Sequence, residues 1–119
     1  MKHFLRKDEV FGVDMKDRRM AYIWLDKFNG AEHFSIGTSD IEPGSKTIPH
    51  QHAAETEVMF IYKGKGVAII GSESYPLAAE TMMFCPPGIA HQICNSGDEL
   101  LSFVYFYSPG GPEQYLRNL

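Results

Sequence analysis

An all-β sandwich or barrel is the fold class this sequence predicts, and three observations carry it. Short apolar runs recur along most of the 119 residues, punctuated by Gly, Pro, Asn and Asp. Helical periodicity is scarce, whereas Glu57, Met59 and Ile61 alternate with Val58, Phe60 and Tyr62 at the period of two that marks a strand with one face inward. The length suits one domain, 1–119, whose core is large enough to need no disulfide staples. Within it, residues 1–18 read as an N-terminal β-arm, 19–111 as the barrel and 112–119 as a C-terminal turn or short helix.

Each element has its own signal. Residues 1–18 mix charge with scattered apolar side chains, and His3 reads as a solvated terminal residue. Arg19 to Leu25 (RMAYIWL) is rich in aromatic and branched residues and predicts a strand. Asn29-Gly30 is a strong hairpin signal, so the return strand runs from Ala31 to Ile41. On that strand His33 reads as exposed or hydrogen-bonded rather than as a pocket residue. Glu42, Pro43 and Gly44 form a turn, and Pro49 removes a ladder donor just before His50, which predicts an edge or irregular segment there. Lys63 to Gly66 is a second hairpin turn, followed by a core strand from Val67 to Ile70. Gly71 to Tyr75 reads as a turn, Leu77 to Ala79 as a connector and Thr81 to Cys85 as a buried strand. Pro86-Pro87-Gly88 forces a sharp corner that pins His91 at the start of the next strand, with Ile93 and Asn95 on the same inward face. Leu100 to Tyr107 is a long apolar and aromatic strand, and Pro112 suits the first position of a closing helical turn.

Composition removes several function classes. The formal net charge is −4 and the sequence has no Lys/Arg block, so the electrostatic footprint of a nucleic-acid or anionic-membrane partner is missing. No signal-peptide pattern opens the chain and no run has the length of a membrane span, so a cytoplasmic location is expected. Cys85 and Cys94 then read as two buried free thiols.

The chemistry concentrates between Gly44 and Gly64. His50 and His52 stand two apart in an extended run, and side chains at i and i+2 of a strand leave from the same face. Glu57 follows His52 by five residues, so the intervening segment must bend or bulge to bring its carboxylate round. His91 offers a fourth donor. Three neutral imidazoles and one carboxylate, carried by two neighbouring strands, suit one divalent first-row ion per subunit, whether Mn, Fe, Ni, Co, Cu or Zn. Glu55 shares the parity of Glu57 and is the rival ligand or a nearby acid.

These spacings resemble the two motifs of the cupins. The first, Gly-x5-His-x-His-x3-4-Glu-x6-Gly, is matched by Gly44, His50, His52, Glu57 and Gly64. The second, Gly-x5-Pro-x-Gly-x2-His-x3-Asn, is matched by Pro86, Gly88, His91 and Asn95, but its opening Gly is replaced by Glu80, a change at a turn. The resemblance implies a double-stranded β-helix, the jelly-roll barrel, with a short C-terminal helical turn. It also implies a homodimer formed by strand exchange or sheet packing.

An open ion walled by apolar side chains can polarise a carboxylate or carbonyl, stabilise an enolate or acidify water. The expectation is a metal-dependent enzyme of lyase, isomerase or dioxygenase type, acting on a small oxygen-rich substrate such as a hydroxy acid, keto acid, diketone or sugar derivative. Candidate pocket residues are Tyr22, Trp24, Met59, Gln92, Tyr105 and Tyr107, each with a rival reading as barrel filling or interface. Glu55 and Tyr105 are the candidate acid–base groups. The alternative is a non-catalytic module that binds or senses a small ligand.

Overall fold

The structure, a computed structural model, describes residues 2–119. Alternating apolar residues have built nine strands: β1 (Phe11–Asp14), β2 (Arg19–Leu25), β3 (Ser35–Ile41), β4 (Thr56–Lys63), β5 (Lys65–Ile70), β6 (Glu73–Ala78), β7 (Thr81–Cys85), β8 (His91–Cys94) and β9 (Leu101–Ser108). They form two antiparallel sheets, one of six strands in the order β1-β2-β3-β9-β4-β7 and one of three in the order β6-β5-β8. The segment before β4 extends the smaller sheet through two isolated bridges, Lys46 to Cys94 and His50 to His91. The all-β expectation holds.

Register explains the core. On the inner face Glu57, Met59 and Ile61 of β4 lie opposite Tyr107, Tyr105 and Phe103 of β9. These meet Ala68, Leu77 and Ile93 from the other sheet in one buried cluster. Side chains of this size stabilise the fold by roughly 1.5–3 kcal/mol each when fully buried. A smaller cluster forms where Leu116, on the closing 3₁₀ helix Pro112–Asn118, covers Ala21 and Ile23 of β2.

Several local expectations change in three dimensions. Residues 73–78, read as turn and connector, are strand β6, and its proline is tolerated because β6 is the edge of its sheet. Asn29-Gly30 does not make a two-residue hairpin. Instead Lys27–Asn29 is a 3₁₀ turn closed by a reciprocal cap between Asp26 and Asn29, and Gly30 ends it with φ 104°. The reason is non-local: the buried Asp26 carboxylate also receives Arg117 and Gln114 of the C-terminal helix, at 2.7 and 2.9 Å. Cys85 is buried as expected, but Cys94 is only half-buried, and both are free thiols. Glu80, where the motif has glycine, sits in the turn before β7 with φ 67°. A non-glycine residue there costs about 1–2 kcal/mol, and the fold carries that cost.

Candidate metal centre

His50 and His91 face each other because their backbones exchange both hydrogen bonds, 3.1 and 2.8 Å, across the bridge between the two segments. Their rings meet edge to face with centroids 4.2 Å apart. His52 follows on the same irregular segment, its carbonyl accepting the Gly88 N–H at 2.7 Å, so the proline-rich corner pins His52 as well as leading into His91. Ala53 and Ala54 then bend, which turns the chain into β4 and swings Glu57 inward. One donor atom from each of His50, His52, Glu57 and His91 lies within 4.8 Å of the others. Sequence parity suggested two neighbouring strands; the carboxylate in fact comes from the six-stranded sheet and His50 and His91 from the smaller one, so the cluster bridges the sandwich.

Donor chemistry tests whether a cation fits. His50 Nδ1 donates to the Ile48 carbonyl at 2.9 Å, and His91 Nδ1 donates to the Ile89 carbonyl at 3.1 Å. A neutral imidazole held in that tautomer presents its Nε2 lone pair to the cluster. All three Nε2 atoms nevertheless surround one acceptor, Glu57 Oε1, at 3.3 Å (His50), 3.4 Å (His52) and 2.6 Å (His91). Lone pairs converge on a carboxylate oxygen without repulsion only when positive charge lies among them, as extra protons or as one divalent ion. His52 Nε2 is in addition buried with no hydrogen-bond partner, an arrangement that costs about 1–3 kcal/mol when nothing satisfies it. The residues fit a metal cation.

The electrostatics agree. Burial pushes the Glu57 carboxyl up, but positive charge and N–H donors at His50 and His91 when their rings are protonated outweigh it and hold the group at about 2. Glu57 is thus an anion throughout the neutral range. Burial pushes His52 down, keeping its ring neutral and ready to ligate.

The cluster lies on the wall of a cavity of about 360 Å³. Of the expected pocket residues, Met59, Tyr105 and Tyr107 line it, whereas Tyr22, Trp24 and Gln92 do not. Their positions explain the difference. Tyr22 and Trp24 share the parity of β2 that faces away from Ala21 and Ile23; Lys7 sits over the Tyr22 ring, and Trp24 donates to Thr38 Oγ1 at 2.9 Å. Gln92 stands on the opposite face of β8 from His91 and Ile93, and donates to the Thr47 carbonyl. Glu55 is half-buried and off the cavity wall. Tyr105 is on the wall, yet its hydroxyl donates to the Tyr22 carbonyl at 2.7 Å and burial raises its pKa far above the ordinary phenol value, which makes it a weak acid–base group. His33 is solvent-exposed, as read from the sequence.

Two charged wall residues escaped the sequence reading. Arg19 shares inward parity with Ala21 and Ile23, a signal that was present. Glu113 is 2% exposed and lies on the closing helix, where no pattern announces it. Its two carboxylate oxygens accept the Gly111 N–H and the Gln114 side-chain amide.

The family model for the cupin domain matches residues 37–107, more than half of the chain and all four cluster residues. The chain belongs to the cupin family. Among relatives, a Streptomyces cyaneus protein named polyketide synthase CurC is 28% identical over 90 residues, covering 76% of this chain and 58% of that protein. An uncharacterized protein of Methanocaldococcus jannaschii is 28% identical over 70 residues, 59% of this chain and 56% of that one. The present cupin therefore spans little more than half the length of these two relatives. Among solved structures, a Thermotoga maritima protein described as a predicted oxalate decarboxylase superposes with TM-score 0.79 at 23% identity, covering 89% of this chain and 98% of that one. KdgF from a Halomonas species gives TM-score 0.81 at 15% identity, with 93% and 98% covered. At these identities the likeness establishes the jelly-roll fold. In this cupin the motif-2 Asn95 has a structural task, its amide donating to the Ile41 and Glu99 carbonyls at 2.7 and 2.9 Å.

Proposed function

We propose that this cupin is a metal-dependent enzyme of lyase, isomerase or dioxygenase type, and that it acts on a small oxygen-rich molecule such as a hydroxy acid, keto acid or sugar derivative. The observation that carries the reading is the convergence of three imidazole nitrogens and one carboxylate oxygen on the wall of an apolar cavity. His50, His52, Glu57 and His91 would hold the ion. When bound, a divalent first-row ion supplies Lewis acidity toward an oxygen-bearing substrate.

The chain's own residues do the rest. The carbonyls of Ile48 and Ile89 orient two imidazoles, so little reorganisation is needed on loading. Met59, Phe103 and Ile93 keep the wall apolar, which excludes water and strengthens electrostatic attraction at the cluster. The volume suits a compact substrate. The test is to load the protein in turn with Mn, Fe, Co, Ni, Cu and Zn and to screen hydroxy acids, keto acids, diketones and sugar derivatives for metal-dependent turnover. Turnover with at least one ion is the expected result; a screen that yields only stoichiometric binding would replace this reading with a ligand-binding or sensing module.

We also propose a homodimer. Phe60, Tyr62, Met82 and Phe84 are 38%, 45%, 66% and 63% exposed on the outer face of β4 and β7. They continue across registered strands into Val58, Val104 and Phe106, a contiguous apolar surface that sheet-to-sheet packing of two copies would cover. Sedimentation at micromolar concentration is expected to give twice the chain mass, and Phe84→Glu a monomer; a wild-type monomer defeats the proposal.

A further inference from the structure

Among the described residues Arg19 is the single Lys or Arg on the cavity wall. It opens β2 on the face that continues with Ala21 and Ile23, and its side chain is only 11% exposed. An inward guanidinium at such a position is costly unless it is paired, and here the pairing is partial. Asp17 accepts Nε at 3.0 and 2.9 Å and lies 2.8 Å from Nη2, which occupies one side of the fork. Among the described residues Nη1 has no hydrogen-bond partner, nor is it sealed from the surroundings. A guanidinium offers five N–H donors in a rigid plane, so a second edge is left for an acceptor.

Stability does not account for this placement. Asp17 is 44% exposed, and a pair of that kind contributes about 0–1 kcal/mol, which an outward-facing arginine would supply equally well. The backbone of Asp17 is itself held, its carbonyl accepting the buried Ser45 hydroxyl at 2.7 Å, which anchors the chain that carries the carboxylate beside the guanidinium. The chain is acidic overall, so Arg19 is not part of a general basic surface. His50 of the cluster and Tyr115 lie on the same cavity wall as Arg19.

The geometry points to a carboxylate-bearing ligand, its carboxylate received by the free edge of Arg19 and its other, oxygen-bearing end directed to the histidine cluster. This rests on the proposed small-molecule function and narrows it: hydroxy and keto acids remain, whereas neutral sugars and diketones leave the class. Arg19 is on this account a specificity-determining residue.

The test uses succinate and its neutral isostere succinamide as probes, titrated into metal-loaded wild type and Arg19→Gln by NMR, with metal content measured on each sample. Wild type is expected to favour succinate at least tenfold, and Arg19→Gln to lose that preference while retaining its metal and its affinity for succinamide. Failure of wild type to favour succinate, or an undiminished preference in Arg19→Gln, overturns the assignment. Loss of metal from wild type would instead count against the metal reading; the Arg19-dependent preference is then read on the metal-free protein, where its persistence upholds the assignment and its absence overturns it. If Arg19→Gln does not fold, Arg19→Lys keeps the charge but loses the planar edge, and its preference is expected to fall at least threefold, an unchanged preference being the contrary result.

Discussion

Replacing His91 by alanine is expected to strip the protein of metal and to leave the sandwich folded. Three features make the effect large. His91 is 2% exposed, its Nε2 lies 2.6 Å from Glu57 Oε1, and its Nδ1 is fixed by the Ile89 carbonyl, so no neighbouring side chain can move in to replace it. Removing a metal-ligating imidazole should weaken binding by on the order of 100-fold or more, since loss of an outer-shell partner alone costs 10–100-fold. The fold survives because the exchange of hydrogen bonds between residues 50 and 91 is made by backbone atoms, which the substitution keeps. Metal analysis of the purified variant is expected to give less than a tenth of the wild-type content, with an unchanged far-ultraviolet circular dichroism spectrum. His50→Ala should behave alike, and Glu55→Ala should keep its metal, since Glu55 stands outside the cluster. Full stoichiometry in both histidine variants would reject the ligand assignment.

Gly64→Ala is expected to be strongly destabilising. Gly64 ends the first motif at the β4–β5 turn with φ 85°, a conformation that costs an L-residue about 1–2 kcal/mol. A Cβ there would also drive into the Leu100 carbonyl oxygen and come within 2.9 Å of the Leu101 Cα, both backbone atoms that cannot rotate away. Relief requires moving the turn off the start of β9. Together these should remove roughly 3 kcal/mol or more of a total stability on the order of 5–15 kcal/mol. Urea denaturation checks the value, and Gly71→Ala is the control: φ there is 61°, but a Cβ would meet nothing within 4 Å. Equal losses in the two variants would show that the turn conformation alone matters and that the collision with β9 does not.

Much of this was legible in the chain. Strands β2 and β7 keep the bounds read from the sequence, Arg19–Leu25 and Thr81–Cys85, because strand preference is largely local. The inward parity of Glu57, Met59 and Ile61 follows from alternation alone. What failed did so where a partner was remote. Gly71 to Tyr75 and Leu77 to Ala79 read as turn and connector until β6 proved to be an edge strand, and Asn29-Gly30 argued for a hairpin until Arg117 and Gln114 reached back to Asp26. Tyr22 and Trp24 were plausible pocket aromatics by composition, yet they share the face of β2 that Arg19 does not.

By itself the sequence determined the all-β class, since strand period depends only on neighbours along the chain, and its likeness to the cupin motifs marked His50, His52, Glu57 and His91 as the candidate donor set. Tertiary structure alone decided that the carboxylate and the imidazoles of His50 and His91 arrive from opposite sheets, and that Arg19 and Glu113 share their cavity. Those outcomes depend on how two sheets pack and where the last helix closes over β2, and no periodicity within a single strand encodes either.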